Sequence, residues 1–409
     1  MSVDYEELHD QRRERLERAY GLKIPDRVPV TGVSGFFAAA YCGLSHREYL
    51  DDYEKSGQAA IKTSVDFGAD TASRGGGGLG ILPITLGLMR EYGGLVPSSI
   101  NGNLHDILGV RYGRFPGREL SDDKPYQFIG QEYMKPDEYD ELIEDPGTFI
   151  VEKILPRSVR SLEKPGSPEA MAALIKFGVE TRKRSEYSTR TAEELRRLGF
   201  PIFPSGMSYA PLDLIGDYMR DIKNVLLDCY RMPDKVKEAC EAVLGLIVEM
   251  AEMTAKVAPK GTRVFIPLHL NEYFSPKQYN EFYWPTLKKV CMELIRLGLV
   301  PSIFYEGYHD AHLETILELP KGKTVSRFEK TDLCRAKEII GDHSCIIGGP
   351  SPSLFMGAPV KMEDYVKDLL EDVKPGGGFI LSPAVSIPSN AKPENVHAMV
   401  KAVKKYGVY

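Results

Sequence analysis

The sequence predicts an α/β protein: a (β/α)8 TIM barrel with an N-terminal helical extension and a long insertion after the second strand. Three observations predict it. Eight short apolar segments recur at spacings that leave room for helices. Amphipathic stretches of helical length alternate with the last five segments. The later segments also end in ionisable or amide side chains, as in HLNEYF, FYEGYHD and FEKTD. A barrel gathers its chemistry at that C-terminal rim of the strands.

The elements follow in order. The opening MSVDYEELHDQRRERLERAYG is charged and helical, with no apolar core for a signal peptide. The first two strands are expected at Arg27–Val33 and Phe67–Ala72. A Gly-, Pro- and Tyr-rich insertion of about 75–198 comes next, long enough for a lid, a small subdomain or a dimer contact. Strands three to five are expected at Pro201–Gly206, Val264–His269 and Ser302–Glu306. Strands six to eight are expected at Thr324–Glu329, Cys345–Gly349 and Phe379–Ala384. Helices are expected at Pro276–Arg296, Ala311–Leu319, Asp332–Ile340, Lys361–Leu370 and Pro393–Lys405. This alternation implies parallel strands with right-handed crossovers.

Composition narrows the class. With 43% hydrophobic and 27% charged residues, the 409-residue chain can build a large core as a single domain over 1–409. A net charge of -6 argues against nucleic acid, whose affinity comes from phosphate neutralisation. No apolar run reaches the ~20 residues of a membrane span. Six dispersed Cys without a CxxC pair fit reduced thiols and a cytoplasmic location.

Candidate chemistry clusters at the later strand ends. His269 is either a core histidine or a pocket-facing ligand or proton donor, and its strand-end position favours the second, with Asn271 beside it. Glu306 ends the fifth strand, Gly307 permits a sharp turn, and Asp310 can cap the next helix. His309 and His312 share a helical face; His312 reads as covering the exterior, and His309 is open between packing and ligation. Glu329 ends the sixth strand, either opposite Glu306 or in a surface pair with Lys330. Two facing carboxylates would raise one pKa or supply metal ligands. Carboxylates with imidazoles suit Zn, giving a metal set of Glu306, His269, Glu329 and His309. The runs at Gly75–Gly78 and Gly376–Gly378 lack the context of a phosphate cradle. Asp310-Ala311-His312 matches the start of the DxHxxG corrinoid motif, but Thr315 replaces its Gly, so no corrinoid of the chain's own is expected.

DRVPV, DFGAD, LDLIGDYMRD with MPDKVKEACE, FSPKQYNEFYWPTLKKV and PGGGFILSPAVSIPSNAKPENVHAMVKAV resemble the uroporphyrinogen decarboxylase superfamily over nearly the whole chain. That resemblance implies a (β/α)8 barrel and either porphyrinogen decarboxylation or methyl transfer with a separate corrinoid protein. True decarboxylases of the family carry an Arg-Gln-Ala-Gly-Arg segment after the first strand; TGVSGFFAAAYCG here holds no Arg. Thiol methyltransferases carry zinc on His-x-Cys and a later Cys, where this chain has Phe304-Tyr305-Glu306 and Ala384. The remaining blocks are similar to methyltransferase components of O-demethylase systems. The resemblance thus implies methyl transfer from a methoxylated aromatic to the Co(I) corrinoid of a partner protein. Either a zinc ion or a protonated carboxyl would stabilise the leaving oxygen. Glu306, Glu329 and His269 are the catalytic candidates, and Phe36, Phe37, Tyr209, Tyr305 and Asn271 the substrate-binding ones. The alternatives are a decarboxylase of a smaller substrate, a methylcobamide:thiol methyltransferase, or a binding protein that kept the barrel. A homodimer is compatible with each.

Overall fold

The computed structural model describes residues 4–72, 79–80, 82–87 and 99–409. The glycine tract at Gly75–Gly78 lies outside them. The chain clusters into two compact units. The first comprises Met1–Gly76, Arg184–Phe203 and Ser302–Tyr409; the second comprises Gly77–Lys183 and Pro204–Pro301.

Six parallel strands organise the described residues: β1 Ser205–Met207, β2 Arg263–Leu268, β3 Val300–Tyr305, β4 Val325–Phe328, β5 Cys345–Gly348 and β6 Phe379–Leu381. In the second unit β1 pairs with β2, Met207 opposite Phe265. In the first unit β3, β4, β5 and β6 lie side by side, with Tyr305 opposite Phe328 and Arg327 opposite Ile347. Helices Leu333–Ile340 and Pro359–Val373 carry the chain from β4 to β5 and from β5 to β6, as parallel pairing demands. β6 is buried at every position, β4 and β5 at three of four, and β1 at none, with Ile303, Tyr305, Ile346, Phe379, Ile380 and Leu381 fully sealed. Each such apolar side chain contributes roughly 1.5–3 kcal/mol of transfer free energy.

The last five expected strands stand within a few residues of their predicted bounds. The first three differ, each for a local reason. Arg27–Val33 forms only isolated bridges, Arg27 to Val408 and Val30 to Leu381, with Thr31 N–H donating to Leu381 O at 2.9 Å. Pro29 has no N–H to extend the ladder, and Gly32 turns the chain at φ 82. Phe67–Ala72 is not a strand: Phe67 is the last residue of helix Tyr53–Phe67, and Gly68 stops that helix in the left-handed region at φ 64. Of its apolar residues only Phe67 sits on the helix, and Ala69 is buried in the turn after it. Asp70 is instead a sealed carboxylate that accepts from Arg15, Arg27 and Val30 N. Pro201–Gly206 yields β1 only from Ser205 onward, because Pro201 and Pro204 cannot donate.

The insertion is more regular than its composition implied. Its last quarter is one 30-residue helix, Pro168–Arg197. Part of its first half is pinned by buried aromatics, Tyr112 packing edge-on against Tyr218 and Phe115 against Tyr126. All six cysteines are free thiols. No helix among the described residues is long and apolar enough to cross a membrane.

Candidate functional site

A buried polar constellation lies in the second unit, where the chain leaves β2 at His269. A helix starting at Pro211 carries Asp213 and Asp217 four residues apart, and it widens into a π turn over Gly216–Arg220. Side chains at that spacing share a face. π segments inside helices recur at functional sites, because the extra residue re-aims the side chains around it. Gly216 lets this face come close to the loop after β2: a Cβ there would meet Leu270 Cδ1 at 2.9 Å.

Both aspartates reach that loop. Asp213 Oδ2 accepts from the backbone N–H of His269 at 3.1 Å and from the Tyr283 hydroxyl at 2.5 Å. Asp213 Oδ1 accepts from Leu270 N at 3.0 Å. Asp217 Oδ2 meets His269 Nδ1 at 2.6 Å. Asp217 Oδ1 is sealed from solvent with no hydrogen-bond partner among the described residues. The Tyr209 ring stands edge-on to the imidazole, its centroid 6.5 Å away. Asp213 and Asp217 are fully buried, whereas 27% of the His269 side chain stays exposed. The imidazole is therefore the group through which this buried pair communicates with the outside.

The electrostatics follow from burial. Desolvation, reinforced by the Asp217 carboxylate, pushes the Asp213 carboxyl up to about 7, against the opposing pull of His269 and Tyr283. The Tyr283 phenol is driven well above its usual range by burial and by Asp213. Two acids and an imidazole thus share a water-poor site, with one acid able to hold a proton near neutrality. A carboxylate on the inner nitrogen of a histidine fixes its tautomer and stabilises its protonated form.

Other sequence candidates lie in the first unit. Glu306 follows β3 and is partly exposed. Glu329 follows β4, and its Oε2 accepts from Gly307 N at 2.7 Å, clasping the turn that carries Glu306. Gly307 itself is left-handed at φ 67. Tyr305 is fully buried, stacked on Phe328 at 5.1 Å with its ring 4.1 Å from that of His309. His309 is sealed among these rings, and burial draws it well below the usual histidine range. Phe37 packs on Phe67 and Tyr41 as a core ring, while Phe36, partly exposed, lies against His46. Tyr209 and Asn271, in the second unit, are both buried.

The residues expected to hold zinc do not fit it. Among the described residues no three His, Cys, Asp or Glu form a group that could hold a metal. His309 is packed between rings, and an oxygen of Glu329 is committed to Gly307.

Sequence reasoning found His269 and missed Asp213, Asp217 and Tyr283. The signal was present in PLDLIGDYMRD: two aspartates four apart within an apolar run, an expensive placement unless they serve a site.

Residues 156–406 match the profile of the family described as Uroporphyrinogen decarboxylase (URO-D). The chain is 22% identical to a uroporphyrinogen decarboxylase of Coxiella burnetii (strain Dugway 5J108-111) over 182 residues, 44% of this chain and 50% of that protein. It thus spans about half the length of that relative. It is also 22% identical to the uroporphyrinogen decarboxylase of Methylococcus capsulatus over 271 residues, 58% of this chain and 76% of the relative. Among solved structures, a methyltransferase from Methanosarcina mazei superposes with a TM-score of 0.62 at 16% identity, covering 97% of this chain and 98% of that one. That likeness is one of fold, and the fold is consistent with a TIM-type barrel.

Proposed function

The chain belongs to the uroporphyrinogen decarboxylase family, and from that premise we propose that it is an O-demethylating methyltransferase. It would pass the methyl group of a methoxylated aromatic to the corrinoid of a partner protein. The observation that carries this reading is the partly exposed His269 backed by the buried Asp217 and Asp213.

Ether cleavage breaks the methyl–oxygen bond and leaves the electron pair on oxygen, so the reaction needs a proton donor held at that oxygen. His269 is that donor, and Asp217 stabilises its protonated form through the 2.6 Å contact. The chemistry a partner's reduced corrinoid would supply is the electron pair for the new bond to the methyl carbon. Glu306 is the proposed carboxylate of the first unit, and Glu329 positions its turn through Gly307 N. Residues 31–43 contain no Arg to hold a polycarboxylate, which weighs against porphyrinogen decarboxylation.

The test is methyl transfer from a methoxybenzoate to added Co(I) cobalamin or corrinoid protein, abolished by His269→Gln and by Glu306→Gln. If no methoxyarene is demethylated by the purified protein, the reading fails. A second reading, decarboxylation of a smaller substrate, is favoured by the activity named for the curated relatives. Carbon dioxide release without corrinoid would establish it.

A further inference from the structure

The first unit holds a cation whose charge is poorly matched. Arg327 lies on β4, and burial is the largest influence on its guanidinium, lowering its pKa. Of the five N–H donors of a guanidinium, one is matched: a terminal nitrogen donates to Pro383 O at 3.2 Å. Its Nε is sealed from solvent with no partner among the described residues. Glu306 attracts Arg327, but no carboxylate comes within hydrogen-bonding reach of it among the described residues. Other buried arginines are treated differently. Arg15 has Asp26 and Asp70, and Arg220 has Asp228 and Glu132.

The guanidinium lies 4.7 Å from the centroid of the Phe304 ring. Stacking covers a face of the plane and leaves the in-plane donors, the ones that fork onto a carboxylate, uncommitted. The residue keeps part of its surface exposed. A charge held partly away from water, with Glu306 too far to hydrogen-bond to it, is incompletely compensated, and a bound anion would complete it. One such cation, with no Arg in residues 31–43, matches a single carboxylate and not several.

We infer that Arg327 receives the carboxylate of an aromatic monocarboxylate, with Phe304 backing the guanidinium. This rests on the O-demethylase reading and narrows its substrate class from methoxyarenes at large to methoxybenzoates.

Equilibrium binding separates the two ideas, because it needs no corrinoid and no turnover. The probes are 4-methoxybenzoate, its amide and 4-methoxyphenol, titrated into the full chain, its Arg327→Lys variant and its Arg327→Met variant. Wild type should bind the acid at least about tenfold more tightly than the amide or the phenol, the loss expected for one charge-assisted contact. Arg327→Met should erase that preference, and Arg327→Lys should keep part of it. Equal binding of acid and amide by wild type overturns the inference, as does no saturable binding of the acid, or an undiminished preference in Arg327→Met. Tighter binding of the phenol than of the acid overturns it too, assigning the cation to a phenolate. Should Arg327→Met fail to fold, the wild-type comparison and Arg327→Lys still decide. A carboxylate preference without methyl transfer would sink the O-demethylase reading and leave Arg327 an acid-binding residue.

Discussion

Asp217 Oδ2 and His269 Nδ1 lie 2.6 Å apart, a sealed carboxylate against an imidazole that keeps 27% of its surface exposed. The contact joins a π turn to the end of a strand, and it gives a strand-end histidine a carboxylate partner on Nδ1.

Asp217→Asn keeps the shape of this contact but removes the charge that favours a protonated imidazole. The variant should fold, and kcat for methyl transfer should fall on the order of 100-fold with little change in KM. Steady-state kinetics with a methoxybenzoate check this; a raised KM at unchanged kcat would assign Asp217 to binding.

Asp213 makes stability depend on pH. Its carboxyl is pushed from an ordinary 3.8 up to about 7. Across that interval the folded chain holds a proton that the unfolded chain has released. The contribution is therefore present below about pH 4 and is lost as pH rises toward and through about 7. Thermal unfolding between pH 5 and pH 8 should show wild type losing stability that Asp213→Asn does not lose. The variant should start lower, by about 1–3 kcal/mol, because its amide NH2 faces donors that Asp213 accepted.

Gly216→Ala tests the close approach that assembles the site. The added methyl would sit 2.9 Å from Leu270 Cδ1 and 3.2 Å from Val225 Cγ1. Leu270 and Val225 are fully buried, so the helix must shift. Destabilisation of about 1–3 kcal/mol and a loss of turnover should appear together. Urea midpoints and kcat measured on the same preparation check both.

Glu329 offers a choice between chemistry and support. Its bond to Gly307 N makes it a clasp for the Glu306 turn, and a glutamine oxygen can accept the same bond. Glu329→Gln should therefore retain most activity. Glu329→Ala should lose about 1–3 kcal/mol of stability and much of the turnover. If Glu329→Gln is as inactive as Glu329→Ala, the carboxylate acts in the reaction itself.

Sequence alone determined the alternation of β2 to β6 with their helices, because apolar period and strand-end chemistry are local properties of the chain. It also determined that His269, Glu306 and Glu329 stand where strands end. What it misread had local causes hidden in three dimensions. Phe67 is apolar because it sits on the buried face of a helix, and the Pro168–Arg197 helix closes an insertion that began in glycines and prolines. Only the tertiary structure decided which partners these residues meet. Asp213 and Asp217 are 56 and 52 positions from His269, and the rings that seal His309 come from β3 and β4. Long-range packing sets burial, and burial decides whether a carboxylate is a surface charge or a proton store.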